Sequence, residues 1–272
     1  MANETTISAA DSPAMANKLV EDALSDQTVE SAEKPPVASP SDGEVELPGG
    51  LDDPFEGLIK TARVRELTGA DEEIIARITD PGKSLLTILE RGVESIGDKP
   101  TDKETLDSLL AGDREMLLLA IRKVTFGEET QVGPGLCPSC SEEQTFTINL
   151  TEDVEVKQLD ESDRHFIVKS KVGDIEVSLP NGTVQKALVN ASNKNSAELD
   201  TIILNGCINS INGMPVLNTK VIKDLGIKDR RAILKAISDR NPGPQLGAIK
   251  KNCSSCGSEV PLPLTLAELF QE

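Results

Sequence analysis

A chain of 272 residues can form one large domain or two modest ones. Aromatic residues are only 2% of it, five Phe with no Trp or Tyr, so the rings that stack on single-stranded nucleic acid or on sugars are scarce. A net charge of −18 repels phosphate backbones and anionic lipid and suits basic protein partners.

From the N-terminus, the opening MANETTISAADS is polar and lacks the apolar core of a signal peptide. No apolar run anywhere approaches membrane-spanning length. Residues 1–52 read as a disordered acidic tail. Ten acidic residues among the first 50 stand against Lys18 and Lys34, with Pro35, Pro36 and Pro40 and no Phe. Such a segment buries too little apolar surface to offset its ordering entropy. Met15, Leu19, Val20 and Leu24 would share one face of a short helix, a docking segment if the tail is more than solvated chain.

Residues 53–128 read as a helical domain. Thr68 and Asp71 form a capping box before Ile74, Ile75 and Ile78. Asp80-Pro81 starts a second helix through Leu85, Leu86, Ile88 and Leu89. Thr101 and Glu104 form another capping box, and Asp113 caps an apolar helix through Met116–Ile121 that Gly127 stops.

The period then changes to two. Phe146, Ile148 and Leu150 alternate with polar residues, as do Val154 and Val156, and Ile175, Val177 and Leu179. Pro180-Asn181-Gly182 supplies turn chemistry before a further run, Thr183 to Val189, so these segments read as antiparallel strands. Helices return at Ile202–Ile211, Val221–Leu225 and Ile233–Ile237, ended by Asn241-Pro242-Gly243-Pro244. Val260, Leu262 and Leu264 alternate, and a short helix closes the chain from Leu266 to Phe270. No internal repeat is read beyond two CxxC units.

Those units are Cys137-Pro138-Ser139-Cys140 and Cys253-Ser254-Ser255-Cys256. With no export signal the five cysteines belong in a reducing compartment, where paired CxxC motifs hold metal more often than they form disulfides. Two such turns supply four thiolates at about 2.3 Å in a tetrahedron, which closes a structural Zn²⁺ site with no position left for water. The 112 residues between Cys140 and Cys253 far exceed the ribbon gap of about 15–20 residues. Each motif is nevertheless followed by an alternating apolar run, as in the two arms of one ribbon, and a folded insertion costs little closure entropy. Rubredoxin-like iron accepts the same ligands, and a disulfide or redox pair is the other rival, although neither motif opens a βαβ helix.

The architecture expected is therefore α+β. After the tail and the helical domain come the first half of a split zinc ribbon (129–150), an inserted antiparallel-β-plus-helical domain (151–245), and the second half of the ribbon with the C-terminal helix (246–272). Cys207, at helical spacing with Leu204 and Ile211, reads as a core thiol. Pro81-Gly82-Lys83-Ser84 ends like a phosphate-binding loop, but Arg77 stands where its first glycine belongs. His165 is the only histidine, so neither a Ser-His-Asp triad nor a His-based catalytic zinc site can be assigned.

Several features in this order resemble the T4-like bacteriophage baseplate hub, or baseplate assembly, protein family. They are the helix end Leu118-Leu119-Ala120-Ile121-Arg122, the knuckle Gly135-Leu136-Cys137-Pro138-Ser139-Cys140, the turn Leu179-Pro180-Asn181-Gly182, paired helices and a late CxxC. The likeness covers roughly residues 55–270. It implies a non-enzymatic component or assembly factor of a contractile-tail baseplate or hub. Such a protein works in the host cytoplasm during assembly, or in the virion tail baseplate, through contacts with other baseplate and hub proteins. The family offers no catalytic residues, and no nucleic acid, membrane or small-molecule substrate is expected. The alternative is a zinc-ribbon accessory factor in transcription or other nucleic-acid machinery, against which the charge and the missing aromatics count.

Overall fold

The computed structural model describes residues 42–270. The tail over 1–41, with its Met15–Leu24 face, lies outside the described residues.

Strand β1 (Asp42–Asp53) corrects the end of the tail reading, since residues 42–52 are part of it. Val45 and Leu47 alternate with Glu44 and Glu46, and the apolar pair is buried in a core with Val64, Ile88 and Ile121. β1 pairs antiparallel with β2 (Gly57–Arg65). Helix α1 (Gly69–Ile75) starts at the expected Thr68–Asp71 capping box. Helix α2 (Pro81–Gly92) starts at Asp80, whose carboxylate accepts the Lys83 N–H at 2.9 Å, so the phosphate-loop remnant is a helix cap. Strands β3 (Val93–Ile96) and β4 (Lys99–Pro100) complete a sheet of order β1-β2-β3-β4. A purely helical 53–128 is therefore overturned. Its sheet escaped notice because β3 and β4 are too short to show a period and β2 buries only Ala62 and Val64, between polar and charged residues.

Helix α3 (Lys103–Ser108) is capped by Asp102 rather than by Thr101: the Asp102 carboxylate accepts the Thr105 N–H at 2.7 Å. Helix α4 (Ala111–Phe126) follows, and Gly127 stops it at φ 92°. Asp113 does not cap it; the carboxylate is buried and accepts the Gly49 N–H at 2.6 Å, tying β1 to the helix. Nearly all sides of α4 are buried, the charged Asp113, Arg114 and Arg122 along with the apolar residues. Leu117 and Ile121 pack under the first sheet, while Leu119 packs against Phe146, Ile148 and Val260.

The hairpin of β5 (Glu129–Leu136) and β6 (Glu143–Asn149) comes next, then the two-residue strand β7 (Val156–Lys157). β8 (His165–Ser170) and β9 (Gly173–Ser178) form a hairpin. The expected strand over 183–189 is instead helix α5 (Gly182–Val189). Asn181 accepts the N–H groups of Thr183 and Val184, so Asn-Gly here caps a helix where the sequence suggested a hairpin turn. Helix α6 (Ser196–Cys207), strands β10 (Ile208–Ile211) and β11 (Met214–Pro215), and helices α7 (Thr219–Asp224) and α8 (Ile227–Arg240) follow. Strand β12 (Gly243–Pro244) pairs with β7, and the hairpin of β13 (Lys250–Asn252) and β14 (Glu259–Pro261) precedes a final 3-10 turn at Glu268–Phe270. Helices and strands are mixed throughout, an α+β fold.

The order of elements contains a repeat that the sequence reading missed. Strand, strand, helix, helix, strand, strand, helix, helix and a CxxC hairpin occur twice, as β1 to β6 and as β8 to β14 with the β7–β12 pair set aside. The second sheet has the order β8-β9-β10-β11 as seen from its first strand, matching β1-β2-β3-β4. Registers agree pair by pair. Ala62–Ile96, Arg63–Ser95 and Val64–Val93 in the first sheet correspond to Ile175–Ile211, Glu176–Ser210 and Val177–Ile208 in the second, with the same one-residue shift before the last pair. From α3 onward the correspondence is a constant 116 residues. Leu117 answers to Ile233, Cys137 to Cys253 and Cys140 to Cys256. The stretch expected as an insertion inside a ribbon is the body of the second copy.

Candidate metal centre

Each CxxC sits at the tip of a two-stranded hairpin, and the two tips fold alike. The Cys137 N–H donates to Glu142 O and the Ser141 N–H to Cys137 O, both at 2.9 Å. In the second tip the Cys253 N–H donates to Ser258 O and the Gly257 N–H to Cys253 O, also at 2.9 Å. The residue after the second thiol must turn left-handed, with φ 58° at Ser141 and 74° at Gly257. Gly adopts that conformation without steric cost; Ser does so only under constraint.

The four Sγ atoms lie within 4.8 Å of one another. Cys137 faces Cys256 and Cys140 faces Cys253, each pair at 3.7 Å. A disulfide needs about 2.05 Å, and all five cysteines are free thiols. Four sulfurs at about 2.3 Å from a central ion stand about 3.8 Å apart at the corners of a tetrahedron. The donor set and its spacing therefore fit a four-thiolate metal ion. Cys137 and Cys253 are buried, while Cys140 and Cys256 are exposed.

Gln144 links the tips. Its Nε2 donates to Cys253 Sγ at 3.0 Å, and its Oε1 accepts the Ser254 N–H at 3.1 Å and the Ser254 hydroxyl at 2.8 Å. Electrostatics within the cluster are uneven. The Cys256 N–H, aided by the Ser255 N–H and the Gln144 amide, outweighs burial and draws Cys253 down to about 6. The Glu142 N–H pulls Cys140 down, but desolvation and the hydrogen bonds with the three neighbouring sulfurs together outweigh it and move the thiol up to about 12. Four thiols this close cannot all ionise without a cation among them, so proton loss and ion binding are coupled.

Behind the sulfurs, Phe146, Ile148, Val260, Leu262 and Leu264 form a core with Leu119 of α4. Arg122 of α4 is wholly buried: its Nε donates to Leu269 O at 2.6 Å and its guanidinium lies 4.8 Å from the Phe126 ring centre. This tie between α4 and the C-terminal turn was missed in the sequence, since an Arg at a helix end gives no sign of burial. Cys207 is apart from the cluster, and burial pushes its thiol up to about 12, as in an inert core thiol. His165 is exposed at the start of β8. Among the described residues no other group of three or more metal-binding side chains occurs, and no helix is long and apolar enough to cross a membrane.

Comparison with curated proteins and with solved structures gives no match. The sequence model of the T4 bacteriophage base plate protein family matches residues 54–271, which take in all four clustered cysteines and both β/α copies apart from strand β1, and the chain belongs to that family.

Proposed function

We propose that this protein is a non-enzymatic structural or assembly component of a phage contractile-tail baseplate or hub, held in shape by one structural zinc ion. Family membership over residues 54–271 carries the reading. Its partners are other tail baseplate and hub proteins, met in the host cytoplasm during assembly and, for a resident component, kept in the virion tail baseplate. No catalytic step, nucleic acid, membrane or small-molecule substrate enters it.

Cys137, Cys140, Cys253 and Cys256 would hold the zinc in a split ribbon, one knuckle from each copy. With four protein ligands the ion has no open position, so it supplies cross-linking rather than Lewis acidity toward a substrate. Its work is mechanical. It fastens the hairpin after α4 to the hairpin after α8, and Gln144 steadies the second knuckle from the first. Elemental analysis of the purified chain is expected to find one zinc and no iron. Well under one zinc per chain, or one iron, overturns the zinc assignment. Mass spectrometry of purified particles, with capture of tail proteins from infected lysate, tests the baseplate role. Absence from both the particle and every tail-protein complex overturns it.

A further inference from the structure

The CxxC hairpins of the two copies meet symmetrically, Cys137 on Cys256 as Cys253 on Cys140, but the contact between their bodies is head to tail. The α3–α4 corner of the first copy receives the turn and helix α5 of the second. The Ala111 N–H donates to Pro180 O at 2.8 Å, and the Gly182 N–H donates to Leu109 O at 3.0 Å. Arg114 Nε donates to Gln185 Oε1 at 2.6 Å, and Lys186 Nζ pairs with Asp107 Oδ2 at 2.7 Å. The fit is close: a Cβ on Gly112 would stand 1.8 Å from Pro242 O.

A two-fold contact would use the same two surfaces a second time, with the second copy's corner against α1 of the first. It does not. Ile227 corresponds to Ala111, yet it is 71% exposed whereas Ala111 is 6%. Lys223, Asp224, Gly226, Lys228 and Arg231 around it are exposed as well. At the other end, Glu72, Glu73 and Ile74 of α1 face solvent, and so do Phe126 and Gly127, the counterparts of the Pro242-Gly243 strap. A head-to-tail contact leaves one unused face at each end, and these are the two faces.

We propose that a second copy of this chain docks there end to end. Its α1 seats on the Leu225–Arg231 corner as α5 seats on the Leu109–Glu115 corner within the chain. The charges at corresponding positions support this occupant. Lys186 lies five residues past its helix cap, Asn181, and Glu73 lies five past Thr68. Asp107 corresponds to Lys223. The internal pair Lys186–Asp107 thus becomes Glu73–Lys223 between chains, attractive again with its polarity reversed. Glu115 is likewise replaced by Arg231. Reversal also gives specificity, because the α5 of another chain would bring Lys186 against Lys223. Ile227 adds apolar area where the internal contact has only Ala111.

Sedimentation velocity of the full chain from micromolar to several hundred micromolar tests this. The expected result is a mass above one chain, either growing with concentration or fixed at a closed ring. Lys223→Glu and Glu73→Lys each weaken association about tenfold or more, and the double variant Lys223→Glu/Glu73→Lys restores it. Both side chains are exposed, so thermal unfolding of the single variants, read at a protein concentration low enough for the wild type to be a single chain, stays at the wild-type midpoint and reports that they fold. A single-chain mass across the range overturns the proposal. So does association that neither single variant weakens, or a double variant that is no better than the singles.

Discussion

Arg114 and Arg230 make the same bond in the two copies: each Nη1 donates to a carbonyl eight residues upstream, Leu106 O at 2.5 Å and Ile222 O at 3.1 Å. The bond locks the short helix before each long one, which is why the corner has one shape in both places. Their surroundings differ. Arg114 is buried and also reaches Gln185 and, at 3.7 Å, Asp107. Arg230 is half-buried and reaches Thr201 Oγ1 at 2.9 Å. Arg114→Met is expected to cost about 3 kcal/mol, because it strips a buried network of its donor. Arg230→Met is expected to cost about 1 kcal/mol. Urea unfolding of the two variants checks the difference, and equal losses would contradict it.

The metal site predicts its own pattern. If the cluster holds zinc as proposed, Cys253→Ser and Cys137→Ser each remove a buried thiol ligand and are expected to lower the zinc content and loosen the clasp between the hairpins, a loss of several kcal/mol. Zinc content and the unfolding midpoint should fall together. Cys207→Ala leaves the zinc content unchanged, since that thiol is outside the cluster.

Asp71 sets an acid limit. Burial opposes its charge, but Arg65, the Thr68 N–H and Arg91 more than offset that and hold the carboxyl well below its usual range. A depressed folded value means the stabilisation is complete above the unfolded value of about 4 and is lost as pH falls below it. Asp71→Asn is expected to lower stability at pH 7 by about 2 kcal/mol and to flatten the loss below pH 4. An unchanged acid limb in a pH series of unfolding curves would count against this.

Glu115 has the opposite sign. Burial alone pushes its carboxyl up to about 7. The group is destabilising when ionised, so wild-type stability falls as pH climbs from about 4.5 through 7. Glu115→Gln removes that slope and is expected to gain about 1 kcal/mol at pH 8, discounted for partial exposure. Little difference is expected at pH 4, where both side chains are neutral. Chemical denaturation at the two values tests the sign directly.

Gly112 is fixed by the second copy's strap rather than by its own helix. Gly112→Ala would gain helix propensity in isolation, yet Pro242 O occupies the space its Cβ needs. The expected outcome is a loss of about 3 kcal/mol from forced backbone movement. Lys228→Ala, the corresponding change in the second copy, is expected to be near neutral because Lys228 is exposed. Thermal melts of the pair separate crowding from propensity.

What the sequence determined by itself was local. A CxxC turn carries its own geometry, so both knuckles were legible, and the cap at Asp80 and the capping box at Thr68–Asp71 were legible for the same reason. The strand pattern at Phe146–Ile148 and at Ile175–Val177 also showed, because one buried face imposes period two. Where local signals were shared between structures, packing decided. Asn181-Gly182 reads equally as a turn or a cap, and the contact with Leu109 made it a cap. β1 sits in a stretch of Gly, Pro and acids that reads as tail, and only pairing with β2 and burial on α4 make it a strand. The repeat was hidden because corresponding residues lie 113, 115 or 116 positions apart in successive elements from β2 onward, and because it is kept in registers and burial more than in residue identity. The convergence of four sulfurs across 112 intervening residues was an expectation from chemistry. Only the tertiary structure brings them within 4.8 Å, because the two hairpins meet on one shared core against Leu119 of α4.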